Sequence, residues 1–202
     1  DEPLGSHVGN ALEVKDAIDV LAGKTKGPLL EVSLALGARM LVLGGQAKSE
    51  AEGLGKLRQA IASGAGLDKL RQMVSAQGGD PRVCDDTGLL PQPEEKRDLL
   101  ATAGGYIARM DTEQAGLAAM VLGAGRTRKE DKIDPAAGYI LYKRVGDKVR
   151  RGEKIAQLHG SASAPFDKAG AMLLSAIRLE DTAPKKLALI RARVAPEGKE
   201  NT

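Results

Sequence analysis

The first 79 residues carry apolar side chains at helical spacing, punctuated by glycines. This pattern predicts four helices, at about residues 10–23, 28–43, 49–64 and 67–77. Asn10 is the expected N-cap of the first helix, because its side-chain oxygen can accept a hydrogen bond from the Glu13 N–H. The second helix is apolar around most of its circumference, so we expect it to be buried. Residues 1–79 therefore predict a helical layer that packs against another part of the protein.

A connector of residues 80–95 separates this layer from a segment with a different period. It contains Pro81, Pro91 and Pro93, which interrupt regular structure. Beyond it, the sequence predicts strands at 98–102 and 106–110 joined as a hairpin, helices at 112–122 and 165–179, strands at 138–143 and 154–159, and an edge strand at 187–194. The expected fold class is α/β. It consists of the helical portion, the connector and a C-terminal α+β module of residues 96–202.

The run VGDKVRRGEKI at residues 145–155 resembles a turn of biotinyl and lipoyl carrier domains. In those domains a Gly-Asp turn and a following glycine let two strands wrap a small barrel-sandwich. We therefore expect barrel-sandwich, hammerhead-like character in the C-terminal module. The lysine that carries the cofactor there lies in a Met-Lys hairpin, and this dipeptide does not occur here. No organic cofactor is expected, and a non-enzymatic binding or assembly module with this strand geometry is an alternative function.

Composition argues against nucleic-acid and membrane partners. Aromatic residues make up 2% of the chain, which leaves few platforms on which bases could stack. The 30 basic and 27 acidic residues are interspersed, so no polybasic stripe is present. No apolar run approaches the roughly 20 residues that span a bilayer. The single cysteine, Cys84, indicates a reducing compartment, and we expect a cytoplasmic protein.

The individual residues give only weak signals of a catalytic site. His7 and His159 are the only histidines, and neither has a serine or cysteine partner in a recognisable nucleophile context. The glycines of residues 123–126 could suggest a phosphate loop, but they follow a predicted helix rather than begin one, which favours a helix C-cap and turn. Asp85 and Asp86 lie in the proline-rich connector, where we expect them to be solvated.

Four longer motifs, taken together, indicate a family. They are PLG and GNALEV in residues 3–14, SLALGARMLVLGG at 33–45, GYIARMDT at 105–112 and LGAGRTRKEDKID at 122–134. In combination they resemble the pyrimidine-nucleoside phosphorylase and thymidine phosphorylase family, over roughly its C-terminal half. Because the first residue is Asp rather than Met, we expect the sequence to begin inside a longer gene product or after a cleavage or cloning boundary.

The resemblance implies a pentosyltransferase of nucleoside salvage. Such enzymes use phosphate as co-substrate to cleave thymidine, uridine or both, giving the free base and a pentose 1-phosphate. They are homodimers with a cleft between a small helical lobe and a larger α/β lobe. The family's phosphate-binding segment and its pyrimidine-binding residues lie before the matched region, so no catalytic or substrate-binding residue is assigned here. We expect this chain alone to be inactive.

The resemblance also implies a cation site in the opening loop. Bacterial members hold potassium, or calcium in its place, through two backbone carbonyls and a carboxylate. By motif position these ligands are the carbonyl oxygens of Leu4 and His7 and the carboxylate of Asp16, where the family has Glu. Oxygen ligands suit a hard cation of this kind. The family's remaining ligands lie in the half that this sequence does not include.

Overall fold

The computed structural model describes residues 2–126, 128–185 and 187–192. Its helices are α1 (Asn10–Leu21), α2 (Pro28–Leu43), α3 (Glu50–Ala62), α4 (Ala65–Ala76), α5 (Thr112–Ala119) and α6 (Phe166–Ala176), with 3-10 turns at Pro81–Cys84 and Thr87–Leu89 and a π-helical turn at Met120–Ala124. Its strands are β1 (His7–Val8), β2 (Glu95–Leu100), β3 (Gly105–Met110), β4 (Gly138–Leu141), β5 (Lys148–Val149), β6 (Lys154–Gly160) and β7 (Ile177–Glu180). The chain is thus a mixed α/β structure, as predicted. No helix of the described residues has the length and apolar character needed to cross a membrane.

The four predicted helices of the first 79 residues are present, and α2 has the predicted limits. The start of α1 differs in detail, because Gly9 rather than Asn10 precedes the first helical residue and no side chain caps it. The Glu13 carboxylate still reaches back, and it accepts a hydrogen bond from the Gly9 N–H at 3.2 Å. The Asn10 side chain instead donates to the Ala124 carbonyl oxygen at 2.9 Å. Asn10 therefore ties the first helix to the end of the π-helical turn rather than capping the helix.

All the strands lie in two antiparallel sheets. One sheet has the order β1-β4-β6-β2 and the other β5-β3-β7. The short strand β1 joins the opening segment to the C-terminal module through the pair His7 with Ile140. Gly9 and Gly138 cross at this junction with φ values of 135° and 145°. A Cβ on Gly138 would collide with the Val8 carbonyl oxygen, so the junction requires glycine for both conformation and space.

Three sequence expectations for the module are wrong. The predicted hairpin does not form, because β2 pairs with β6 while β3 pairs with β5 and β7 in the other sheet. The last helix ends at Ala176, and the residues after it form β7 instead of a fourth turn. The predicted edge strand at 187–194 is not seen over residues 187–192, and its last two residues lie outside the described part. Strand β3 lies between β5 and β7, and these two strands supply the pairing that the hairpin was expected to supply.

The main hydrophobic core lies in the C-terminal module. Both sheets and the helices α5 and α6 contribute to it, and Tyr139, Ile107 and Leu173 are fully enclosed there. Small residues let α5 pack closely against the rest of this core, since Ala115 and Ala118 are completely buried. A second, smaller cluster beneath α1 and α4 contains Ile18, Val83 and Cys84. Helix α2 belongs to neither cluster, and the expectation that it is buried is wrong for this chain. Ala38 is its one buried residue.

Candidate functional site

The opening segment folds back onto the side of α1. Residues 4–7 lie against Asp16, whose side chain is buried, and the Asp16 Oδ2 atom accepts a hydrogen bond of 3.0 Å from the Ser6 N–H. The His7 N–H lies 3.5 Å from the same oxygen. A carboxylate that accepts backbone N–H groups stabilises the loop more strongly than a neutral acceptor would. Asp16 therefore fixes the path by which the chain enters β1.

Glycine at position 5 is required for this arrangement. A Cβ built on Gly5 would overlap the Oδ2 atom of Asp16, and its next contact would be a Leu29 methyl group at 3.5 Å. The absence of a side chain lets the loop backbone rest on the carboxylate and on the first turn of α2. The PLG motif of the sequence thus has a steric explanation in the packing of three segments.

His7 occupies the same junction. Its Nδ1 atom lies 3.5 Å from the Asp16 Oδ1 atom and is buried without a hydrogen-bond partner among the described residues. Burial lowers the pKa of His7 below its usual value, although the charge of Asp16 acts in the opposite direction. The ring is therefore held neutral near pH 7. It contributes no positive charge to the loop that would repel a cation.

The carbonyl group of Leu4 already has a cationic partner. The Arg144 guanidinium donates to the Leu4 oxygen at 3.2 Å and also contacts the Pro3 carbonyl oxygen. Its Nε atom lies 3.3 Å from a Glu2 carboxylate oxygen. Sequence reasoning missed Arg144, because it lies 140 residues from Leu4 and no local spacing signals the contact. A metal ion bound at Leu4 would share the carbonyl oxygen with this guanidinium or displace it.

Leu4 and His7 of the expected cation site lie in the opening segment, and Asp16 lies on α1 with its side chain against that segment. Two backbone carbonyls and one buried carboxylate would supply an all-oxygen donor set of the type that potassium and calcium prefer. The fit is partial, because three ligands fall short of the six to eight that calcium takes. Within the part of the chain that the structure describes, no group of three or more His, Cys, Asp or Glu side chains is arranged to hold a metal. Any cation site here therefore depends on backbone oxygens.

The other sequence candidates do not assemble into a site. Gly123 adopts a positive φ of 114° at the end of the π-helical turn, where it ends the helix as expected. The thiol of Cys84 is buried, and burial raises its pKa, which disfavours the reactive thiolate. Asp85 forms an exposed ion pair with Arg71. These residues have local structural roles.

His159 is buried. Its Nε2 atom lies 3.1 Å from the Gln157 side-chain oxygen, and Gln157 in turn donates to Asp98 at 2.8 Å. Burial lowers the pKa of His159 to about 4, and positive charge from Lys96 acts in the same direction. The alternation of β6 places His159 and Gln157 on one face of the sheet. On this face the side chains of His159, Gln157 and Asp98 are linked by polar contacts, and the imidazole is neutral.

Comparison with known proteins agrees with the motifs. Residues 106–180, from β3 to β7, match the family model described as the pyrimidine nucleoside phosphorylase C-terminal domain. The chain is similar to the pyrimidine-nucleoside phosphorylase of Bacillus subtilis (strain 168), with 41% identity over 186 residues. It is also similar to the enzyme of that name from Staphylococcus aureus (strain USA300), with 42% identity over 161 residues. The chain belongs to the pyrimidine-nucleoside phosphorylase family. The family prediction is confirmed.

Each match covers most of this chain but less than half of the relative. It covers 91% of this chain but 43% of the Bacillus subtilis protein, and 80% of this chain but 37% of the Staphylococcus aureus protein. The chain thus spans less than half the length of these pyrimidine-nucleoside phosphorylases. The family model matched by residues 106–180 is that of a C-terminal domain.

Proposed function

We propose that this chain is the C-terminal part of an enzyme that phosphorolyses pyrimidine nucleosides. The substrates are thymidine, uridine or both, and the products are the free base and a pentose 1-phosphate. The observation that carries the proposal is the 41% identity to a pyrimidine-nucleoside phosphorylase across 91% of the chain. Phosphate is the co-substrate, and no organic cofactor takes part.

Two cavities in the described part of the chain do not suit this reaction. Phosphorolysis needs cationic and hydroxyl groups that hold phosphate against the anomeric carbon, and donors that stabilise the departing base as an anion. A small cavity of about 30 Å³ has a mainly apolar lining that includes Ile107 and Val149, with Thr102 as its one hydroxyl-bearing residue. An open depression beside it is lined by Lys148, Arg150, Arg151, Gly152 and Glu153, which include no hydroxyl group. Neither space suits a nucleoside and a phosphate together, so we infer that the catalytic groups come from the upstream polypeptide.

The cation site belongs to the same proposal. The carbonyl oxygens of Leu4 and His7 and the Asp16 carboxylate hold potassium, or calcium in its place, together with oxygens from the upstream polypeptide. The buried Asp16 side chain beside the loop backbone supports this assignment. The role of the ion is to fix the loop against that polypeptide. A crystal of the whole enzyme grown with potassium tests it, and a crystal with no cation at this loop would contradict it.

Further features of the whole enzyme follow from the proposal. It is a homodimer that works in the cytoplasm, which agrees with a single, unpaired cysteine. The C-terminal module of residues 96–202 has barrel-sandwich, hammerhead-like character, supported by its two antiparallel sheets. The helical portion of residues 1–79 and this module, joined by the connector 80–95, are both part of the larger α/β lobe. Neither nucleic acid nor membrane is a partner.

Release of base from uridine and thymidine tests the proposed function. The assay compares this chain with a joined polypeptide, in which the upstream part of the Bacillus subtilis relative is fused before Glu2. Phosphate-dependent release by the joined polypeptide, with none by the chain alone, supports the proposal. If both are inactive although the joined polypeptide is folded, the alternative of a non-enzymatic binding or assembly module is favoured.

A further inference from the structure

Helix α2 presents an uncovered apolar surface. Leu36, Met40 and Leu43 are 62%, 70% and 74% exposed, and they follow one another at helical spacing. We call these three residues the α2 stripe. Single exposed apolar side chains are ordinary on protein surfaces, but a contiguous row on one helix marks an interaction site.

The rest of the molecule occupies the opposite side of α2. Helix α3 packs there so closely that a Cβ on Gly53 would lie 2.9 Å from the Ala38 carbonyl oxygen. At about 100° per residue, positions 36, 40 and 43 point away from Ala38, which is the one buried residue of the helix. Helix α2 is therefore apolar on two sides but covered on only one. Its sequence is that of a helix packed between two layers.

The position of α2 indicates what covers the stripe. The first turn of α2 lies beside the opening loop, since Leu29 is the near neighbour of Gly5. Pyrimidine-nucleoside phosphorylases similar to this chain contain more than half of their length outside the shared region. We propose that the α2 stripe docks the upstream polypeptide that corresponds to this unmatched part of the relatives. The inference rests on the proposed function and adds the surface through which the two parts meet.

A second copy of the chain is a poorer occupant. A symmetric contact between two stripes of three residues falls well short of the roughly 1,200 Å² that a specific, stable interface buries. An upstream segment of the same polypeptide meets the stripe at high effective concentration, so a smaller contact is sufficient.

Thiol labelling tests the docking directly. Met40→Cys places a thiol on the stripe, and Met73→Cys is the matched control on α4, because Met73 is also a half-exposed methionine on a helix. Both variants are labelled with a maleimide in the chain alone and in the joined polypeptide, and the site is read by peptide mass. We expect the joined polypeptide to protect Met40→Cys about 10-fold or more and Met73→Cys by less than about 2-fold.

Several results would overturn the inference. Equal labelling of Met40→Cys in the two contexts would exclude docking on the stripe. Protection of Met40→Cys in the chain alone, together with elution as a dimer, would assign the stripe to a second copy. The double variant Leu36→Glu with Met40→Glu gives a second measure. It should lower the thermal midpoint of the joined polypeptide and leave that of the chain alone unchanged. The reverse pattern contradicts docking. A joined polypeptide that protects the thiol but releases no base refutes the proposed function and leaves the docking intact.

Discussion

The Asp16 carboxylate on α1 accepts the Ser6 N–H at 3.0 Å and so fastens the opening loop to the first helix. Ten residues separate the two partners, and Gly5 lies between the loop and the helix without a side chain. The loop continues into β1, which is one edge strand of the four-stranded sheet. The Asp16 side chain thus holds the segment through which the chain enters the sheet of the C-terminal module.

Removing this carboxylate should destabilise the chain. Asp16→Ala leaves the Ser6 N–H without its acceptor in a partly buried position, and we expect a loss of about 2–3 kcal/mol in the free energy of unfolding. Asp19→Ala is the control, because Asp19 forms a longer ion pair of 3.8 Å with an exposed Lys24 and should cost less than about 1 kcal/mol. Urea unfolding measures both variants. Equal losses would show that the Asp16 hydrogen bond does not hold the loop.

The junction of β1 and β4 should not tolerate a side chain. Gly138→Ala forces a Cβ onto the Val8 carbonyl oxygen at a φ of 145°, so we expect a loss of about 3 kcal/mol or failure to fold. Gly116→Ala is the opposite case, because position 116 lies within α5 and has open space around it. That variant should gain about 0.5–1 kcal/mol from helix propensity. Thermal unfolding of the pair checks the prediction, and a neutral Gly138→Ala would contradict it.

The buried His159 should make the stability of the chain depend on pH. The pKa of His159 is about 4 in the folded chain and about 6.5 in an unfolded one, so below pH 6.5 the unfolded state binds more protons. The free energy of unfolding is largest above pH 6.5, and it decreases by up to about 3 kcal/mol as the pH falls towards 4. His159→Gln should remove most of this dependence, and the part that remains includes His7, whose pKa is lowered in the same direction. Identical pH slopes for the variant and the parent would exclude His159 as the source.

The buried tyrosine hydroxyl should make a measurable contribution. Tyr139 donates to the Ala115 carbonyl oxygen at 2.9 Å, and burial raises the pKa of this phenol well above its ordinary value. Tyr139→Phe removes the hydrogen bond without changing the packing of the ring, for an expected loss of about 1 kcal/mol. Tyr142→Phe is the control, because that ring is 46% exposed. A loss no larger than that of the control would show that the bond is not stabilising.

Sequence reasoning succeeded where the signal is local. The limits of α2 follow from Pro28 at its first position and the glycines after Leu43, and the start of α3 follows from Ser49, whose hydroxyl accepts the Glu52 N–H. It failed where partners are distant in sequence. The pairing of β2 with β6 joins residues about 60 apart, and no local pattern distinguishes it from a hairpin with β3. The exposure of α2 could not be foreseen either, because hydrophobic periodicity marks a surface that will be covered without showing which polypeptide covers it.

The same limit applied to the loop. The motif predicted Leu4, His7 and Asp16 as cation ligands, and this site stays a prediction. The structure shows that the Asp16 carboxylate accepts the Ser6 N–H of the same segment. The Arg144 contact with Leu4 joins residues 140 positions apart in the sequence and was not foreseen. Family resemblance led to the proposed reaction class, which local chemistry could not supply, because the groups that would carry out phosphorolysis are not among the motifs of this chain.

Phosphorus NMR of the nucleoside reaction tests the central claim most directly. Uridine or thymidine is incubated with inorganic phosphate and either the chain alone or the joined polypeptide. The account predicts a pentose 1-phosphate resonance with the joined polypeptide and no change in inorganic phosphate with the chain alone. Formation of pentose 1-phosphate by the chain alone, or release of base by the joined polypeptide without any sugar phosphate, would contradict it.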